Sequence, residues 1–101
     1  MALNNAVMTN EAFQAIIDEY GDRIKCIKCA CKTLFFNMPL TNNQFTIDQI
    51  KMKTVGMIDY FEVPQFNTAN GKTYTSVIPT ESIGEVIVAD SPNDPIDIYR
   101  I

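Results

Sequence analysis

Apolar side chains at Phe13, Ile16, Ile17 and Tyr20 repeat at i, i+3, i+4 and i+7, the spacing that lines one face of an α-helix. Thr9 stands where an N-cap is wanted, Met8 and Phe13 have hydrophobic-staple spacing, and Gly21 suits the left-handed residue that ends a helix. These signals predict a helix from about Asn10 to Tyr20, with Phe13, Ile16 and Ile17 docked on the remaining fold. Met1 to Val7 has no clear period and reads as a mobile arm ending near residue 8, or as a segment ordered by a neighbour.

From Arg23 to Phe36 the pattern admits two readings. As a helix, Ile24, Ile27, Cys31, Leu34 and Phe35 share one side, and Lys25, Lys28 and Lys32 form a basic stripe on the other. As a strand, Ile24 and Cys26 lie on one face and Ile27, Cys29 and Cys31 on the other, which needs a bulge or burial on both faces. The richness in Ile, Cys, Thr and Phe favours the strand.

Beyond Asn37 the grammar is β. NMPLTNN is a turn-rich connection, and QFTIDQIKMKTV alternates as one strand. Gly56 permits a bend before a second run, MIDYFEV, which Pro64 should stop or place at a sheet edge. Asn70-Gly71 predicts a tight type I′ hairpin turn. KTYTSVI follows with Tyr74, Ser76 and Ile78 on one face, then IGEVIVA, the turn cluster DSPNDP and a last strand, PIDIYRI. The expected fold is α+β: one N-terminal helix packed on a mainly antiparallel sheet, small sandwich or barrel of about five to six strands. No repeat or linker divides the 101 residues, so 1–101 reads as a single β-rich domain with a short N-terminal arm.

Composition narrows the chemistry. The chain has no histidine, which removes the commonest general acid/base and a common metal ligand. Cys26-x-x-Cys29-x-Cys31 lacks the second ligand pair of a zinc site, and the three thiols read instead as reduced and mostly buried. Ser76, Ser82 and Ser91 have no nucleophile-elbow setting. Asp48, Asp59, Glu62, Glu81 and Glu85 are available as an acid/base pair, but no spacing pairs them. The isolated Gly56, Gly71 and Gly84 form no phosphate cradle. Tyr60, Phe61, Phe66 and Tyr74 near Lys72 read as core and cross-strand pairs rather than a base-stacking platform. A non-enzymatic protein with no cofactor, no metal and no small-molecule substrate is expected.

Charge supplies a further clue. The net charge is −4, which opposes direct binding to nucleic acid. It is distributed as −4 over residues 1–22, +4 over 23–72 and −4 over 73–101, blocks that can steer neighbouring copies together. No apolar run reaches the length of a membrane span, and the N-terminus lacks an export signal. The expected partner surface comprises the arm (Ala2, Leu3, Asn4, Asn5, Ala6 and Val7) together with Lys25, Lys28 and Lys32.

The stretches QFTIDQIKMKTVGMIDYFEV and NTANGKTYTSVIPTESIGEVIVADSPND, across residues 44 to 94, resemble in texture the small structural proteins of tailed bacteriophage particles. The narrowest likeness is to the auxiliary or decoration capsid proteins of crAss-like phages. No functional residue is carried over by it. It implies a virion protein, made in the host cytoplasm, that sits between major capsid subunits in many copies and stabilises the shell. The alternative is a small regulator or inhibitor held in a one-to-one protein complex.

Overall fold

Thr9 opens the first element as the sequence predicts: its backbone is extended and its hydroxyl accepts from the Ala12 N–H at 3.1 Å. Helix α1 (Asn10–Tyr20) follows and ends at Gly21, whose φ is 49°. The computed structural model describes residues 7–30, 32–36, 45–67, 69–89 and 95–100. Met8 and Phe13, the two halves of the staple, are both in the core, whereas Ile16 and Ile17 are half-buried against it. The buried Tyr99 makes a hydrogen bond with the Met8 backbone, and burial pushes its hydroxyl above the ordinary value of 10.0.

Seven strands form two antiparallel sheets among the described residues. One sheet has the order β2-β1-β6-β7, built from β1 (Ile24–Cys29), β2 (Thr33–Phe35), β6 (Ile83–Ala89) and β7 (Pro95–Arg100). The other is the meander β3-β4-β5, from β3 (Lys51–Val55), β4 (Ile58–Asn67) and β5 (Lys72–Pro79). The class is therefore α+β, a helix on β-sheet with no closed barrel, and with more strands than the sequence suggested. Side chains from both sheets and α1 share one core, in which Phe13 meets Phe61 edge to face with ring centroids 5.2 Å apart.

The ambiguous stretch resolves as two strands. A register shift between Ile24 and Cys26 leaves Lys25 as the extra residue, so Ile24 and Ile27 both reach the core while Cys26 and Lys28 share the opposite face. The basic stripe required a helix and does not form. The run QFTIDQIKMKTV is not one strand. Ile47–Gln49 is a 3-10 turn, because Gln49 Oε1 accepts from the Thr46 N–H at 2.8 Å and the Thr46 hydroxyl donates to Asp48. These side chains give the backbone a local alternative to the ladder. β3 begins only at Lys51.

Pro64 neither stops β4 nor sits on an edge strand, since β4 runs through it and is the central strand of its sheet. The two-residue turn at Gly56-Met57 makes Val55–Ile58 a hydrogen-bonded pair, so Tyr60 and Glu62 also point their main-chain groups at β3. In that alternation the N–H that Pro64 lacks would point past Lys51, where β3 has not begun. No ladder bond is lost. The Asn70-Gly71 signal marks a hairpin, but its loop is 68–71, closed by Gly71 N–H to the Asn67 carbonyl at 2.9 Å. The Asn67 side chain also accepts from the Ala69 N–H inside the loop and that of Asn70 from the Lys72 N–H at the start of β5, which favours this longer turn over the tight type I′ form.

Asn10 ties the elements together. Its N–H, free at the helix N-terminus, donates to Asp59 Oδ2 at 2.8 Å, and its side-chain amide donates to the Lys53 carbonyl at 2.8 Å. Its side-chain oxygen accepts from the fully buried Thr80 hydroxyl at 2.5 Å. Thr80 lies in the 3-10 turn Thr80–Ser82 that links the two sheets. Asn10→Ala leaves that hydroxyl and the Lys53 carbonyl without their partner. It should lower stability by about 1 to 3 kcal/mol, read as a reduced urea midpoint at unchanged slope. A loss within the scatter of surface substitutions, about 0.5 kcal/mol, would contradict this role.

Candidate interaction surfaces

The lysines singled out from the sequence are dispersed by the bulged strand. Lys25 is half-buried, and its carbonyl accepts from Phe36 N–H at 3.1 Å. Lys28 stands on the outer face of the four-stranded sheet, 3.1 Å from Glu85. Lys32 reaches across to the other sheet and donates to the Ser76 hydroxyl at 2.9 Å. Of the arm, Val7 is exposed, and Ala2, Leu3, Asn4, Asn5 and Ala6 lie outside the described residues.

The register explains the outer face around Lys28. Thr33, Lys28, Glu85 and Arg100 stand opposite one another across four strands, beside a row of Phe35, Cys26, Ile87 and Asp97. Arg100 lies 3.4 Å from Glu85 and also pairs with Asp97. Two cations and two carboxylates therefore neutralise one another, and the Glu85 bond holds Lys28 above its ordinary value. A lysine of the basic middle block and an acid of the last block thus meet inside the chain. This face is a closed charge lattice and not a free basic patch.

Cys26 lies in that lattice, whereas Cys29, on the opposite face of β1, packs against the core. The two thiols lie on opposite faces of the strand and do not converge. Cys31 lies outside the described residues. Among the described residues no group of three potential ligands can hold a metal ion. Two of the acids considered for acid/base work, Asp48 and Glu62, do line one open groove of about 410 Å³ with Gln49, Lys51, Pro64 and Thr75. Glu62, however, is ion-paired with Lys53 at 3.3 Å, and Asp48 is held by the Thr46 hydroxyl. Neither stands poised over a substrate-sized enclosure.

The feature that sequence reading missed is the end of the β3–β4 hairpin. Val55, Met57 and Ile58 are 63%, 100% and 64% exposed, three apolar side chains in succession around Gly56. A two-residue turn between alternating runs puts its flanking residues at a tip, so V-G-M-I was the available signal. Val77 adds a further 60%-exposed apolar side chain on the outer face of the same sheet. Asn10 grips Lys53, Thr54 and Asp59 just below the tip. No helix among the described residues is long and apolar enough to cross a membrane.

Burial pushes the Cys26 thiol above its ordinary value of 9.0, with Lys28 opposing and Glu85 and Asp97 adding to the rise. Folding favours the neutral thiol, so its contribution to stability is whole below 9.0 and is lost as pH rises through the higher folded value. The thiolate is the reactive form, so iodoacetamide at about pH 8 should label Cys26 at least tenfold more slowly in the folded chain than in urea. Site-resolved mass spectrometry reads this directly, and equal rates would show that Cys26 is open.

Comparison with protein-family models, with curated proteins and with solved structures finds no match.

Proposed function

We propose that this chain is a non-enzymatic assembly protein that binds and stabilises a capsid shell between major capsid subunits, as a virion component present in many copies. The observation that carries the reading is the apolar hairpin tip, with Met57 fully exposed between Val55 and Ile58. A contiguous exposed apolar patch on a small polar protein is the mark of a protein-binding surface. A hairpin pinned just below its tip by Asn10 and Asp59 presents that patch with little ordering left to lose on docking. Repetition over a lattice would turn a modest contact into durable binding.

The test is incorporation. Met57→Asp and the double change Val55→Lys/Ile58→Glu, which sets opposite charges across the Val55–Ile58 pair, alter solvated side chains and should leave stability within about 0.5 kcal/mol of the parent. Copy number in the purified native particle should fall at least tenfold for either variant. Undiminished incorporation would remove the tip from the interface. Recovery of the parent chain only in a soluble one-to-one complex, with no particle-bound copies, would replace this reading with a regulator or inhibitor.

A further inference from the structure

The two sheets have four edge strands, and three carry devices that discourage pairing with another chain. β2 is only three residues long. β3 sets Lys51 and Lys53 along its length. β7 carries Asp97 and Arg100 and a register shift against β6. Short strands, charges and bulges are the usual means of blunting an edge. β5 keeps such devices to its two ends, Lys72 and Pro79. It runs eight residues, Lys72–Pro79, and is uncharged from Thr73 to Ile78. Among the described residues, no main-chain hydrogen bond reaches it from outside its own hairpin.

The free groups on this edge follow from register. Because Ile58, Tyr60 and Glu62 face β3, the alternate residues Phe61, Val63 and Gln65 exchange main-chain bonds with Ile78, Ser76 and Tyr74. The N–H and C=O groups of Thr73, Thr75 and Val77 therefore point away from β4, into the open side.

We infer that β5 is a homodimer edge, pairing antiparallel with β5 of a second copy about a twofold axis through Thr75. Centred there, Thr75 faces the partner's Thr75, Thr73 faces the partner's Val77, and Val77 faces the partner's Thr73. Each of these pairs has its main-chain groups aimed at the other, and each exchanges two bonds. Shifting the axis to either neighbouring register that keeps the groups aimed leaves one of the three residues opposite Gly71 or Pro79, the latter with no N–H to give. The central register also sets Lys72 opposite the partner's Ile78, so no lysine faces a lysine. Side chains match too: β-branched residues meet on the outer face, and the exposed Tyr74 meets the partner's Ser76 on the other. The product is a continuous six-stranded sheet, β3-β4-β5 joined to its symmetry copy. It carries the two hairpin tips on one rigid platform. This inference does not rest on a capsid role and is read in solution without any particle.

The Thr75 position tests it cleanly, because its N–H makes no bond to β4. Sedimentation and native mass spectrometry of the parent chain should show a concentration-dependent dimer. Thr75→Pro removes both bonds at the axis and should weaken dimerisation about thirtyfold, with the monomer still folded. Thr75→Lys and Thr75→Glu each place like charges opposite one another and should weaken it about fivefold alone. Mixing the two should restore a heterodimer, more weakly at high salt. A parent chain that stays monomeric at its highest soluble concentration overturns the proposal. So does a Lys/Glu mixture that associates no better than either variant alone, which also decides the matter if the proline variant fails to fold.

Discussion

The structure turns on a polar node rather than on any single apolar contact. Asn10 gives its backbone N–H to Asp59 and its amide to the Lys53 carbonyl, and it accepts from Thr80, a hydroxyl with no exposure to solvent. One residue therefore fixes three things together: the start of α1, the tip end of the β3–β4 hairpin and the turn that carries the chain from β5 to β6. Hydrophobic contact such as Phe13 on Phe61 supplies much of the driving force, but it is non-directional. The hydrogen bonds at Asn10 select among arrangements of these parts, because leaving the buried Thr80 unpaired costs more than the bond returns.

That arrangement explains why the apolar tip stands in solvent. The carboxylate of Asp59 is drawn to the helix N-terminus and to the Thr54 hydroxyl, which holds the last rungs of the hairpin against the body. Val55, Met57 and Ile58 lie just beyond that anchor, past the reach of the core. The charged groups tell the same story from the other sheet. Lys28, Glu85, Arg100 and Asp97 satisfy one another, leaving the outer face of β1 and β6 self-contained. Among the described residues the tip, Val77 and the β5 edge stay open as apolar or main-chain surface.

Features set by neighbouring residues were legible in the sequence. Thr9, the Met8–Phe13 staple and Gly21 marked both ends of α1, and the strand reading of Ile24, Cys26 and Ile27 allowed either burial on both faces or the bulge found at Lys25. Features set by distant partners were not. Pro64 looked like a strand stop because its cost depends on whether β3 reaches that far, and β3 begins two residues short of it in register. Thr46, Asp48 and Gln49 alternate like strand residues yet bind their own backbone. The three lysines looked like a stripe only under a helical period. Met57 lay in an apolar run whose bend at Gly56 was read without the exposure it brings, and nothing local to Val77 reveals that its face is solvated. The candidate surface was thus hidden in the pairing of strands.

The central claim is that binding is carried by the hairpin tip, held out by the Asn10 node. Amide hydrogen exchange, compared between the free chain and the chain in its native complex, addresses it most directly because it needs no substitution. The account predicts that the amides of Gly56, Met57 and Ile58 become strongly protected in the complex while the outer face of β1 and β6 is unchanged. Unaltered exchange at the tip, with protection gathered around Lys28 and Glu85 instead, would contradict it.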